Sequence, residues 1–600
     1  MAGLNYLKTA VCSAALLCAT GASADVSIDD VWAELQSQLD MYGPGIVTIG
    51  TETRTSTALV IDAITIDVES ENLNVLAEIS ALTLTDNGDG SVTITMADTT
   101  PITLSGSGGD GAWFELRNTG FMVTVSGAPD LMIYDTVAAS YVIELLKAVD
   151  HGEELDIELR VGITDFSAHT ATAFGEINHF DSTTHFGTVD MALNMNLPSD
   201  NVEMSAGFLA ENLATSIVAS IPDVLMNGEM DESEIAAQFL AIRGKLEFSF
   251  DSISGQFNLD EDDEQAQGAF ALDTGSVAYG YDGSTFSYKV GYDAASVQFS
   301  DDEAAVALNV NAFSFGVGVR LPFAQMISGG VDPEYLSPFL SDMKIGVDLS
   351  FGDMLAQVSI IDGDDTGGGA LSIAGANFNI DVTRDVFDHQ FALGSTTLQA
   401  ISPELPFPVN VDLGEFEFAF HLPLSAVDAP EDFDANLTIA DLSLNEEIWS
   451  MFDPTGALPH DTATLIIKLA GKLQWLGDMF SPELMNSDVP AALHELTLNE
   501  LTIDMVGVHA DGTGAFTFDN SDLETYDGLP RPEGEATFNI TGANSLLDKL
   551  VEMGLLPGDQ VMGVRMMMGM FANSTGDDAL TSTITVDAQG RLLANGQQLR

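Results

Sequence analysis

Beyond residue 24 the chain has no cysteine, because both of its cysteines, Cys12 and Cys18, fall within the first 24 residues. Thiol catalysis, disulfide staples and cysteine-ligated zinc are thereby excluded for the rest of the chain. Cations are scarce: 18 Lys and Arg stand against 92 Asp and Glu, a formal net charge of −74. Direct binding of nucleic acid requires clustered cations, so that class of partner is excluded. No later apolar run reaches the ~18 residues of a spanning helix. The longest candidate, residues 555–571, is broken by Pro557-Gly558-Asp559 and carries Arg565, so no transmembrane anchor is expected. Enzyme signatures are missing as well. There is no GxSxG elbow, no P-loop and no strand–GxGxxG–helix unit. Carboxylate pairs arise by chance in so acidic a chain and carry no glycosidase signal. The chain is therefore expected to be no enzyme and to need no cofactor.

What is present begins with a targeting segment. Lys8 gives a positive start, Thr9 to Thr20 an apolar run, and Ala22-Ser23-Ala24 a small-x-small cleavage pattern before Asp25. Residues 1–24 thus read as a cleavable signal peptide, and the expected address is the periplasm, with secretion or the outer membrane as alternatives. Cys18 follows Leu17, which does not fit a lipoprotein signal. The acidity has two readings. One is solubility in a salty medium, where exposed carboxylates ~10 Å apart repel by only ~0.4 kcal/mol. The other is a polyanionic surface that collects Ca²⁺ or Mg²⁺.

The patterning after the leader is mostly that of strands. Ser27-Ile28-Asp29-Asp30 predicts a helix start of capping-box type, followed by Val31, Leu35, Leu39 and Tyr42 at helical spacing and a stop at Gly43-Pro44. Period-two alternation then takes over. It runs through Ile64-Ile66-Val68, Val75-Ala77-Ile79 and, after a change of phase, Leu82-Leu84. It continues as far as Phe286-Tyr288-Val290-Tyr292, Val297-Phe299 and Val306-Leu308-Val310. Short turn clusters between strands argue for antiparallel sheet. Three alternating stretches stop at Leu-Pro, at Leu197-Pro198, Leu321-Pro322 and Leu422-Pro423, which reads either as a loosely duplicated β-unit or as coincidence. Helices are expected over 231–243, with Ile235, Phe239 and Ile242 on one face, and over 445–452. A C-terminal pair is expected over 545–553 and 560–571, and then a final hairpin. The fold class is mainly β: extended or curved antiparallel sheets with a few packed helices, an N-terminal helix, and a C-terminal helical pair plus hairpin. Soft boundaries near 235 and 440 divide it into β-rich regions 25–235, 236–440 and 441–600.

Several segments resemble a known family. They are Trp449-Ser-Met-Phe-Asp453-Pro454-Thr-Gly456-Ala-Leu-Pro459, Phe516-Thr-Phe518-Asp-Asn520, Leu529-Pro530-Arg531-Pro532, and Gly554-Leu-Leu-Pro557 with its methionine-rich helix. Together they resemble domain of unknown function family 2125, a group of alphaproteobacterial envelope proteins. The ending Gly590-Arg-Leu-Leu-Ala-Asn595-Gly596 is similar to the tail of YdgA-like envelope proteins. The resemblance implies an envelope address and a β-rich build; it implies no activity and brings no catalytic residues.

Three groups of side chains invite a chemical reading. His179 and His185, facing each other across a turn at Asp181-Ser182-Thr183 with His169 nearby, have the donor types for Zn²⁺, against an ordinary surface reading. Asp362, Asp364 and Thr366, with Gly367, fit the first half of a calcium loop, but position twelve is Ile373, and an acidic hairpin is the competing reading. Met562, Met566, Met567 and Met570, with Met568, crowd one helix and are expected either to fill core or to line an apolar groove. The leading expectation is a non-enzymatic periplasmic protein that binds an apolar or envelope-derived ligand, such as a lipid, or assists envelope assembly. An acidic structural or divalent-cation-binding protein and an outer-membrane β-barrel are the alternatives.

Overall fold

The computed structural model describes residues 25–40, 45–69, 73–106, 109–128, 131–227, 238–262, 264–321, 343–362, 365–479, 481–487 and 489–600. The leader, with Cys12 and Cys18, lies outside them, as do Tyr42, Gly43, Pro44, Pro322 and the first part of the helix expected over 231–243. The protein is mostly antiparallel β-sheet with few helices. It divides into two compact units, Met1–Asp302 and Glu303–Arg600, a division that does not coincide with the boundaries expected near 235 and 440.

The first unit opens with the helix Ile28–Asp40. Its start is a reciprocal cap: Ser27 N–H donates to the Asp30 carboxylate at 3.0 Å, and Asp30 N–H donates to Ser27 Oγ at 3.3 Å. Asp thus takes the part usually played by Glu or Gln. Val31 and Trp32 are buried against Leu59, Ile61, Ile64, Leu84, Val92, Ile94, Val125 and Met132, and this is the unit's closed hydrophobic core.

That core is built on two strand ladders that converge on one long strand, Leu131–Asp150. The ladder ending in Met122–Ala128 pairs with its first half, and the ladder ending in Gly111–Thr119 pairs with its second half. From there the chain runs as a simple meander. Glu153–Ala173, Ile177–Leu197, Val202–Pro222, Arg243–Glu261, Glu264–Tyr281 and Thr285–Asp301 pair in sequence order, each with the next. Arg243, expected to close a helix, instead opens a strand. Only residues 238–241 of that expected helix are described as helical.

In the second unit Ala304–Arg320, Lys344–Asp362 and Asp365–Thr383 continue as a meander. Val386–Leu393 and Thr396–Ile401 both pair with Asp365–Thr383, each along one half of it. Glu431–Leu444, Ala463–Trp475, Ala491–Met505, Val508–Asp519, Arg531–Thr541 and Ala579–Val586 then follow edge to edge. Two helices, Ala543–Glu552 and Gly558–Phe571, lie between the last two of these strands.

The long strands bend partway along. In the first unit the pairing of Thr164 with Thr188 resumes at Ser167 with His185, and Asp165 between them takes φ 48°. Asn212 does the same at φ 50°, its Nδ2 donating to Asp251 Oδ2 at 2.6 Å. In the second unit Ala312 (φ 50°) and Asp441 (φ 54°) hold the equivalent positions. The strand beside such a residue often carries glycine. A β-carbon on Gly187 would sit 2.8 Å from that of Asp165, and one on Gly414 would sit 2.9 Å from that of Asp441. At Asp165, Asn212 and Ala312 the register is the same on both sides, so neighbouring strands kink together; at Asp441 it slips by one residue, as at a β-bulge. Each kink reverses the parity of the alternation while keeping each side chain type on its own face. A change of phase in the sequence therefore marks a bend inside one strand. Phe286 to Tyr292 and Val297-Phe299, two strands by pattern, are a single strand, Thr285–Asp301.

Candidate functional site: an uncovered apolar face

Reading the cross-strand partners as rows shows how the sequence divides the sheet into two faces. In the first unit one row is Leu159, Leu193, Ala206, Phe257, Gly268 and Phe299, and the next is Val161, Met191, Phe208, Gly255, Phe270 and Val297. The intervening positions, on the opposite face, give Glu158, Asn194, Ser205, Asn258, Gln267 and Ser300. The second unit repeats the division, with Phe315, Leu349, Phe378, Phe391, Phe418 and Leu437 in one apolar row.

Such a face is normally buried by a second layer. Here it is not. Between Met132 and Leu424 the buried hydrophobic residues among those described are Ala138, Ala148, Ala210 and Phe250. Phe270, Phe299, Val297, Val306 and Phe418 are exposed, Val297 by half. Soluble monomers rarely leave contiguous apolar surface of this kind open.

Phenylalanine and glycine are matched across neighbouring strands. Gly255 faces Phe270, Gly268 faces Phe257 and Gly275 faces Phe250. In each pair a β-carbon on the glycine would collide with the phenylalanine ring. The rings therefore lie down over the glycines, and the face stays low and smooth. Phe433 with Gly471 and Phe538 with Gly512 repeat the device in the second unit.

In the second unit this face deepens into an open trough of about 860 Å³, lined by Val306, Leu308, Val358, Ile360, Leu371, Leu398 and Ile401. Its volume lies within the usual range for a small-molecule site. A second hollow in the first unit, about 630 Å³, lies on the polar face among Asp156, Glu158, Glu203, Asp260 and Asp302.

Within the apolar rows of the second unit stands one ionisable side chain that sequence reading did not single out, His389. It pairs with Ile380 on one side and Phe420 on the other. The rings of Phe378, Phe418 and Phe420 surround it at 5.4, 5.8 and 5.4 Å. The signal was available: Phe387, His389 and Phe391 share the phase of one strand face.

The methionines do not take the core-filling role. Met562, Met566, Met567 and Met570 are 69, 68, 57 and 54% exposed, and Val561 is the buried residue of their helix. They fill no core, and they are not among the residues that line the trough. The helix nevertheless borders the apolar face, since its Phe571 carbonyl accepts from Ser582 Oγ at 2.7 Å and from Asn595 Nδ2 at 2.9 Å. Ser582 stands opposite Phe538 at the end of one apolar row.

The candidate zinc ligands are not brought together. His179 and His185 occupy one continuous strand, Ile177–Leu197, so there is no turn at Asp181 to fold one onto the other. Six residues of strand separate them by roughly 20 Å. His179 Nδ1 bonds Ser220 Oγ at 2.8 Å, and His169 Nδ1 bonds Asp135 at 2.7 Å. Asp362 pairs with Asp365, and Thr366 pairs with Ile361 and continues as strand. Asp364 lies outside the described residues. A different trio, Asp110, Asp150 and His151, offers ligand atoms within 4.8 Å of one another on the surface, but His151 N–H is already bonded to Asp110.

The segments that carried the family resemblance act as braces. Asp453 is buried and accepts from Leu458 N–H at 2.6 Å and from Thr455 Oγ1 at 3.0 Å. Those bonds, the one from Leu458 foremost, hold its carboxyl down at about 2. Arg531 bonds Asp519 at 2.9 Å, Asp522 at 3.1 Å and the Ala588 carbonyl at 2.6 Å, and so ties the Leu529–Pro532 segment to the final hairpin.

Among the described residues no helix is long and apolar enough to cross a membrane. No curated protein and no solved structure matches the chain. No match bears out the similarity of residues 590–596 to YdgA-like proteins. Residues 364–596 match the model of the family DUF2125, described as an uncharacterized protein conserved in bacteria.

Proposed function

We propose that this chain is a non-enzymatic protein of the periplasm that shelters the apolar part of an amphipathic, lipid-like envelope ligand on the open face of its sheets. The observation that carries this reading is the row pattern. Strand after strand presents Val, Leu, Ile, Phe and Gly on one face, with no second layer over it among the described residues. Burying such a face gains about 25 cal/mol for each Å² of apolar surface removed from water. The trough along Val306, Val358 and Leu398 is the best-formed seat for a chain. The exposed methionine side chains at the border of the face suit irregular apolar ligands, being flexible and polarizable. The polar, acidic opposite face keeps the whole in solution.

An outer-membrane barrel would also alternate, but its apolar band is only ~25 Å tall. Strand Glu153–Ala173 has 21 residues. At ~3.3 Å each it spans roughly 65 Å, and roughly 45 Å even when tilted by ~45°. That is too tall for the band.

The test is extraction of the full chain purified from the periplasm of its own cell. Lipid co-purifying in a fixed ratio, and uptake of diphenylhexatriene by the stripped protein, are expected. Recovery free of lipid with no dye uptake, or recovery only in the membrane fraction, would overturn the reading.

A further inference from the structure

His389 interrupts an otherwise apolar surface. Its row runs Val317, Val347, Ile380, His389, Phe420 and Ala435. The rows on either side are apolar, the one through Phe378 from Ala304–Arg320 to Glu431–Leu444 and the one through Val382 from Val319 to Leu422. Nδ1 lies 3.2 Å from the Asn379 carbonyl oxygen. A carbonyl only accepts, so Nδ1 carries a proton, and in the neutral ring Nε2 is the acceptor. The three phenylalanine rings hold the imidazole in place, two of them tilted against it and Phe378 edge-on. Nε2 has no hydrogen-bond partner among the described residues, and neighbouring Phe418 is 40% exposed, so the surface there is open.

We infer that His389 Nε2 anchors the headgroup of a long-chain monocarboxylic acid whose chain lies along the phenylalanine rows. This rests on the proposed use of the apolar face. A lone nitrogen suits a group that needs one hydrogen bond, whereas a phosphate calls for several donors or a bidentate guanidinium. The pair forms with the carboxylate accepting from imidazolium Nε2–H, or, after the proton shifts along the bond, with the carboxylic acid donating to neutral Nε2. Assembly from neutral imidazole and free carboxylate takes up one proton from solvent, and both arrangements carry the same charge.

The experiment is equilibrium dialysis of dodecanoic acid and of its methyl ester against the full chain and the variants His389→Leu and His389→Gln, with thermal melting as the check on folding. The wild-type chain is expected to bind the acid roughly tenfold more tightly than the ester, as one charge-assisted bond implies. His389→Leu is expected to bind both with ester-like affinity, and His389→Gln to keep part of the preference. If the wild-type chain binds both equally, or if the leucine variant keeps the full preference, the anchor is overturned while the use of the apolar face stands. If it binds neither, the face does not take chains of this kind and the anchor falls with it. Should the leucine variant melt early, the glutamine variant decides: full wild-type preference or none at all overturns the anchor.

Discussion

Trp449 and His460 lie face to face, ring centroids 4.6 Å apart and planes only 4° from parallel. Glu446 bonds His460 Nδ1 at 2.8 Å, and buried Asp453 lies 3.7 Å from Nε2. The stack closes the loop whose N–H groups hold Asp453.

That arrangement makes Asp453 an acid-sensitive brace. Its folded pKa of about 2 lies below the ordinary 3.8, so the stability its ionised form contributes is present above pH 3.8 and is lost as pH falls towards 2. Asp453→Asn is expected to lower the melting temperature at neutral pH, with the penalty shrinking below pH 3.8 and gone near 2. A penalty independent of pH would show that the bonds do not depend on the charge.

Glu34 has the opposite sign. Burial, opposed by hydrogen bonds from Tyr134 and Gln38, raises its carboxyl above the ordinary 4.5. Its stabilising neutral form is fully present below pH 4.5, and the benefit is lost as pH rises through the raised value. Glu34→Gln is therefore expected to melt later than wild type at pH 8 and together with it below 4.5. Equal melting at pH 8 would refute the assignment.

Gly268→Ala tests the lying ring. The new methyl group must displace Phe257, at a cost of about 1–3 kcal/mol in denaturant unfolding. A cost no greater than that of Gly318→Ala, where nothing lies within 4 Å, would mean that the ring moves freely.

Val358→Thr with Leu398→Gln changes the trough at exposed positions, so unfolding should shift by no more than about 0.5 kcal/mol. Affinity for diphenylhexatriene should fall roughly tenfold. Unchanged affinity would move the binding surface elsewhere.

Mild peroxide treatment should oxidise Met562, Met566, Met567 and Met570 well before buried Met132, as peptide mass mapping would read. Equal rates would contradict the exposure of that helix.

The β-rich build was legible because alternation is local: each residue's neighbours two positions away already show the face. The start at Ser27 and Asp30 was legible for the same reason. What escaped was anything set by pairing. His179 and His185 look adjacent only if Asp181 turns the chain, and the pairing of Asp181 with Val218 and Ala171 shows that it does not. The methionines read as core because a helix with so few charges ordinarily needs burial, and sequence alone does not reveal that their side chains stay exposed. His389 gained meaning only when Phe378, Phe418 and Phe420, from other positions in the chain, closed around it.

The bends at Asp165, Asn212, Ala312 and Asp441 give this protein something like a reading frame in space. On each side of a bend, face identity is fixed by odd or even position, and the bend itself resets the count. Loss or gain of one residue within a strand would turn that half inside out, sending its Phe and Leu to the acidic side. Two-residue changes would leave it right side out. Length variation among relatives should therefore come in even steps within strands and be unrestricted at the turns.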